Sequence, residues 1–207
     1  MPRFPIVPKR RQTLLDLATP DTAGQPEVIP ATYYDTQAYT SASTTALTFF
    51  SAVNADRTLS NMDASGAFPD PQFFEIWFIS IDFLFPAIST DAAALGNLDD
   101  LLKLTNQQRG TFTLQLSNKN YGPFPIRVAH GSGPVSQSSI ESSTVVASHQ
   151  AASNGVADGG FYVGGQIVIP PKVNFAVILN WAAAATLKTT PLNVCVQMMG
   201  VLHRRVL

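Results

Sequence analysis

The chain has 207 residues, of which 45% are hydrophobic and only 13% charged, and its formal net charge is −1. That length holds one domain with a full hydrophobic core, and a charged fraction near half of the roughly 25% of an average soluble domain favours a protein that covers much of its exterior with copies of itself. The single cysteine, Cys195, excludes an intrachain disulfide, and no run approaches the roughly 18 apolar residues of a membrane span. Stability must come from burial and hydrogen bonding alone.

Pro2, Pro5 and Pro8 recur every third residue, the period of a polyproline II helix, and Lys9-Arg10-Arg11 follow. Nothing resembles a secretory h-region after Met1, so synthesis and folding are expected in a host cytoplasm. Pro20, Gly24, Pro26 and Pro30 then argue against regular structure, so residues 1–30 are expected to form an extended arm and 31–207 a single domain. The arm and the C-terminus hold six of the 13 cations, Arg3, Lys9, Arg10, Arg11, Arg204 and Arg205, while the body from Gln12 to His203 carries −7. Such segregation points to a basic arm meeting an anionic surface, or to a solubilising tail.

The globular part is expected to open at Thr44–Phe50, a β-branched and aromatic run. A turn-rich connection, 54–71, leads to the clearest strand, Gln72–Phe85, where Trp77, Ile79, Ile81, Phe83 and Phe85 alternate with Phe78, Ser80, Asp82 and Leu84. One short helix is expected after Asn97 as N-cap, with Asp99 and Asp100 in its first turn, Leu98, Leu101 and Leu102 on one face, and Gly110 at its end. Alternation returns at Phe112, Leu114 and Leu116, before an expected turn over 118–123. Residues 131–160 are rich in Ser, Ala, Gly and Val, and read as an ordered loop or an edge hairpin against a neighbour. Phe161–Ile169, Val173–Trp181 and Leu192–Val201 complete the strands, with a bulge at Gly164-Gly165 and a corner at Pro170-Pro171. The count predicts an all-β fold: a single jelly roll or β-sandwich of about eight antiparallel strands, one short helix in a connection, and an extended N-terminal arm. Its core is expected to hold Trp77, Ile79, Ile81, Phe83, Phe112, Leu114, Phe175, Val177 and Leu179.

Chemistry-bearing motifs are few. His130 precedes Gly131-Ser132-Gly133 without a G-x-S-x-G elbow, and reads as a flexible loop. His149 and His203 lack metal-ligand spacing and read as surface histidines. Cys195 sits on a strand with nothing nearby to lower its pKa, a structural thiol. Asn61–Gly66 mimics the start of an EF-hand loop, but its twelfth position is Gln72, and Pro69 and Pro71 forbid the exiting helix, so a structural turn is expected. The reading is of no enzyme, no cofactor and no metal.

The run Leu59-Ser60-Asn61-Met62-Asp63-Ala64-Ser65-Gly66-Ala67-Phe68-Pro69-Asp70-Pro71-Gln72-Phe73-Phe74-Glu75-Ile76 resembles the "T-N-M, small-G, L-P, P-x-x-F-x-I" entry to a core strand in jelly-roll capsid proteins of icosahedral bacteriophages, including membrane-containing ones, with Ser60 and Phe68 in place of Thr and Leu. The stretch from Ile169-Pro170-Pro171 through Phe175, Val177 and Leu179, then Pro191-Leu192 to Gly200 and Arg204, is similar to that group's closing strands. These pieces cover about a third of the chain and carry no catalytic signature, so they bear on fold rather than on chemistry. The resemblance implies a capsid subunit of a virion that self-assembles into an icosahedral shell. Its partners would be copies of itself and other capsid proteins, with the basic termini against genome or internal membrane lipid headgroups. The arm residues Arg3, Phe4, Ile6, Val7, Lys9, Arg10 and Arg11 would contact a neighbour or that anionic surface, as would Arg204 and Arg205. The alternative is a glycan-binding or host-attachment β-sandwich module of a virion, with Tyr33, Tyr34 and Tyr39, placed before the first strand, as stacking platforms.

Overall fold

A computed structural model describes residues 25–85, 97, 99–107, 109–130, 135–138, 150–153, 160–188 and 190–206. Ten strands follow one another: β1 (Gln25–Tyr39), β2 (Ala46–Phe49), β3 (Phe73–Leu84), β4 (Thr111–Leu116), β5 (Lys119–Pro125), β6 (Val135–Ser138), β7 (Gln150–Ser153), β8 (Phe161–Ile169), β9 (Phe175–Asn180) and β10 (Leu192–Val206). Eight of them form two four-stranded antiparallel sheets, ordered β1-β10-β3-β8 and β2-β9-β4-β5, and β6 pairs with β7 in a hairpin of its own. The protein is an all-β sandwich. Its pairings are nested: β1 with β10, β2 with β9, β3 with β8, β4 with β5. Two further pairings, β10 with β3 and β4 with β9, close this folded ribbon into sheets.

The core lies between the sheets because alternation gives each strand one apolar face. Phe74, Ile76, Ile79, Ile81, Phe83, Val194, Val196 and Met198 meet Phe49, Phe112, Leu114, Phe175, Val177 and Leu179 across the interface. Of the nine expected core residues, Trp77 alone is not buried. The reason is a bulge. Ile76 pairs with Gly200 and Phe78 with Met199, so Trp77 is an extra residue on β3 with no partner on β10. Insertion of one residue flips the phase of a strand: Phe74 and Ile76 point inward before it, and Ile79, Ile81 and Phe83 after it. The bulge expected at Gly164-Gly165 is present, with φ of +70° and +66°, and the β3–β8 register slips between Ile76 and Phe78.

Four expectations need correction. Among the described residues regular structure is present from Gln25, not only after residue 30, and β1 precedes the expected opening at Thr44. Pro26 and Pro30 are compatible with β1 because it is an edge strand of its sheet, met on the other side by a short bridge at Ser60 and Asn61. The backbone groups of its even-numbered residues face the free edge: Thr32 O accepts from Asn61 Nδ2 at 2.7 Å, Tyr34 N–H donates to Asn61 Oδ1 at 2.9 Å, and Asn61 N–H donates to Tyr34 O. By the same parity the two proline nitrogens point away from β10 and remove no ladder bond. Second, 118–123 is not one long turn; the chain reverses at Ser117, with φ of +51°, and Lys119–Pro125 returns as exposed edge strand β5.

Third, Asn97 is itself helical, and its buried Oδ1 meets no donor among the described residues, so the expected cap is not made. Residues 99–102 are helical and continue as a π-helical turn, Lys103–Gln107. Fourth, the left-handed residue that ends it is Arg109, with φ of +50°. Gly110 serves a close approach instead: a Cβ there would lie 2.6 Å from Leu104 O and 2.9 Å from Trp181 Nε1. That contact lets Trp181 Nε1 donate to Leu104 O at 2.9 Å, tying the helical segment to the end of β9.

At the centre of the bulge, a Cβ on Gly200 would sit 1.9 Å from Glu75 O. Gly200→Ala is therefore expected to push β10 away from β3 and to cost roughly 1–3 kcal/mol, the range for overpacking. A fall in the urea midpoint with an unchanged slope checks this.

Candidate functional site

Beside the bulge, the outer face of the β1-β10-β3-β8 sheet carries a buried polar cluster. Glu75 Oε1 accepts from Trp77 Nε1 at 2.9 Å, and Glu75 Oε2 lies 3.6 Å from His203 Nε2. The Glu75 and His203 side chains are 5% and 6% exposed, so neither is available to bulk solvent. Phe73 stacks on the His203 ring at 4.3 Å and 9°. The main chain of β8 closes over the carboxylate, since a Cβ on Gly165 would fall 2.2 Å from Glu75 Oε1. Gly165 thus explains the second left-handed glycine: only a residue without a side chain lets β8 cross a buried carboxylate at that distance. The sequence-based expectation for His203, a surface histidine, is overturned. The cause is position: it stands on β10 opposite Phe73, on a central strand of a four-stranded sheet.

Next to this cluster the same face is apolar and open. A depression of about 300 Å³ is lined by Pro30 and Thr32 of β1, Trp77 and Phe78 of β3, and Met199 and Val201 of β10. A second, polar depression of about 630 Å³ lies at the other sheet, where Thr48, Ser51, Gln115, Ser117, Asn118 and Asn174 present hydroxyls and amides. Lys172 at its rim is held by Asp70 at 2.8 Å.

The other sites expected from sequence are dispersed. His130 is not in a flexible loop: it is buried, bridges Ile81 of β3, and stacks on Phe83. His149 and Gly131-Ser132-Gly133 lie outside the described residues, as do the arm residues Arg3, Phe4, Ile6, Val7, Lys9, Arg10 and Arg11. Arg204 is not a free terminal cation. Its Nε donates to Glu27 Oε2 at 2.8 Å across the β1–β10 ladder, so half of the expected C-terminal basic pair is neutralised within the subunit. Arg205 stands opposite Pro26 in that ladder. Among the described residues no group of three His, Cys, Asp or Glu is arranged to hold a metal ion, and no helix is long and apolar enough to cross a membrane.

The EF-hand mimic acts as a strap. Asn61 caps the free edge of β1, Arg57 donates to Met62 O and to Asp63, and Met62 and Phe68 are buried. Gly66, with φ of +54°, accepts from Phe175 N–H at 2.7 Å, which lays the strap against β9. The three tyrosines are not free platforms. They lie within β1; Tyr39 is buried against Trp181, Tyr33 packs edge-on to Phe68 and Phe74, and Tyr34 donates its hydroxyl to Arg57 O.

The buried carboxylate of Asp35 escaped sequence reading, and that of Asp100 was read only as part of a helix's first turn. Asp35 accepts from Phe50 N–H at 2.6 Å and Thr36 N–H at 3.1 Å, joining β1 to the end of β2. Asp100 accepts Lys188 N–H on both oxygens, at 2.9 and 2.8 Å. Beside it, burial alone opposes ionisation of Asp99. Hydrogen bonds and charge from Lys103 and Lys188 outweigh that and hold its carboxyl below the usual range.

Comparison of the chain with protein-family models, with curated proteins and with solved structures finds no match. Function is therefore read from the molecule alone.

Two outcomes follow from these ionisations. Burial raises the Cys195 thiol above its ordinary value, Asp82 and Asp35 add to the rise, and a hydrogen bond with Thr36 opposes it. A disulfide reagent at pH 8 should thus label the native protein far more slowly than the urea-unfolded chain, as followed by thiol absorbance. For Asp99 the folded value lies below the unfolded one. Its contribution is complete above the unfolded carboxylate range near 4 and is lost as pH falls through the lowered value. Asp99→Asn should therefore remove part of the acid dependence of stability below about pH 4, measured as thermal midpoint against pH.

Proposed function

We propose that this chain is a structural subunit of a virion, a capsid protein that assembles with copies of itself and with other capsid proteins into an icosahedral shell. The observation that carries the reading is the nested pairing of the eight strands into the orders β1-β10-β3-β8 and β2-β9-β4-β5. Nested pairing of this kind supports the finer reading of the sandwich as a jelly roll, an architecture used by viral capsid and lectin domains. Two further features support assembly over solitary life in solution. The chain carries few charges, and several of the described ones are spent in pairs: Glu27 with Arg204, Arg57 with Asp63, Asp70 with Lys172, and Asp99 with Lys103 and Lys188. Large apolar side chains meanwhile stand exposed, Val28, Val53, Leu84, Val128 and Tyr162. Such a surface associates more readily than it repels.

In the shell, identical subunits meet through symmetric contacts. Arg3, Lys9, Arg10 and Arg11 would face the interior, where genome or lipid headgroups supply negative charge. The partner is thus an anionic surface, and no small-molecule substrate is required.

A glycan-binding or host-attachment module of a virion is the second reading. The 630 Å³ depression favours it, because hydroxyl and amide groups suit a sugar, but the tyrosines expected to stack on the ligand are taken up in packing.

Electron microscopy and sedimentation of the purified protein decide between these readings. Closed particles of uniform diameter are expected, with a yield that falls as salt screens the basic arm. A monomer or small oligomer at every concentration and ionic strength would overturn the capsid reading.

A further inference from the structure

The apolar depression beside the bulge has the position and the lining to receive a specific segment of this chain. Its floor is aromatic and aliphatic, Trp77, Phe78, Met199 and Val201, with Pro30 and Thr32 on one side. Aromatic-lined grooves of this kind take proline-rich segments in the polyproline II conformation, whose ordering cost is low because proline fixes it in advance. The chain holds such a segment: Pro2-Arg3-Phe4-Pro5-Ile6-Val7-Pro8 repeats proline at the three-residue period of that helix. In that conformation, with three residues per turn, Pro2, Pro5 and Pro8 would share one edge, Phe4 and Val7 a second, and Arg3 and Ile6 the third, so within the segment two adjacent edges would be apolar and its one cation, Arg3, would stand on the third.

The reach fits as well. β1 starts at Gln25, and the depression begins at Pro30 and Thr32 on the same strand, roughly 17–24 Å away at about 3.4 Å per residue. Sixteen residues, 9–24, separate Pro8 from Gln25, enough chain to cover that separation, since an extended chain spans up to about 3.3–3.6 Å per residue. Val28, 47% exposed and on the same face of β1 as Pro30, continues the apolar track toward the strand's start.

We infer that the Trp77–Phe78–Met199–Val201 depression is a docking site for the Pro2–Pro8 segment of the same chain, which seats one turn of polyproline II against Trp77. Docking holds Lys9, Arg10 and Arg11 against the rim of the sheet, where the seated segment next to them keeps the peptide bonds that follow them from entering a protease. The inference stands apart from the assembly reading, since it concerns the isolated subunit.

Limited tryptic digestion of the full-length protein, with mass spectrometry of cleavage after Lys9, Arg10 and Arg11, is the test, joined to a ¹H–¹⁵N spectrum in which the indoles of Trp77 and Trp181 report separately. In the Phe4→Asp and Trp77→Ala variants, cleavage is expected to be about tenfold faster, the change that about 1.4 kcal/mol of lost docking corresponds to. Phe4→Asp is expected to shift the Trp77 indole and leave that of Trp181 in place. Phe4→Asp lies far from the core, so it remains informative should Trp77→Ala fail to fold. Equal cleavage rates and an unmoved Trp77 indole in Phe4→Asp overturn the proposal. So does a wild-type Trp77 indole whose shift depends on protein concentration, because the occupant is then the arm of a second copy.

Discussion

The close approach of β10 to β3 at Gly200 and Glu75 is the constraint on which the sandwich depends. Because Gly200 has no side chain, the two strands stay paired while β3 takes up one extra residue at Trp77. That insertion turns Phe74 and Ile76 to the same interior that Ile79, Ile81 and Phe83 occupy further along. Without it, half of β3 would present its apolar side chains to solvent. The same insertion moves Trp77 outward, where it bonds Glu75 and becomes part of the floor of the apolar depression. One extra residue thus completes the core and shapes the outer face.

How far the sequence revealed this depends on the type of signal. Strands with strict alternation and two paired neighbours, β4, β9 and the middle of β10, were legible because burial on one face writes itself into every second residue. β1 was hidden by Pro26 and Pro30, which read as breakers. Only the knowledge that it lies at an edge, with those nitrogens turned outward, makes them acceptable. β5 was hidden in the same way by its Asn, Gly and Pro residues, which an exposed edge strand tolerates. The bulge left a trace, the adjacent apolar pair Trp77-Phe78 in the middle of an alternating run, where the period changes phase. The buried polar contacts left none. Asp100 and Lys188 are 88 residues apart, and Glu75 meets His203 only because β3 and β10 run side by side, so no spacing rule connects them.

The charges follow a similar economy. Several of those on the described residues hold segments together: Glu27 and Arg204 across β1 and β10, Asp99 with two lysines across the helical connection, Asp70 and Lys172 at the corner before β9. Arg109, Lys119 and Arg127 are exposed and take no part in these pairs, and Arg3, Lys9, Arg10 and Arg11 precede β1 in the sequence.

The free edge of β1 has one more consequence. With Pro26 and Pro30 facing outward and Asn61 occupying the backbone groups of Thr32 and Tyr34, this border offers an incoming chain few hydrogen-bonding sites in sequence. A foreign strand laid there would find proline where it needs a donor and a side-chain amide already in place. Cross-β stacking, the open-ended growth that makes amyloid, is thus denied a template along that side. Along this border, one of the four sheet edges, copies of a protein poor in repelling charge are left to meet through side-chain surfaces, whose geometry can close on itself.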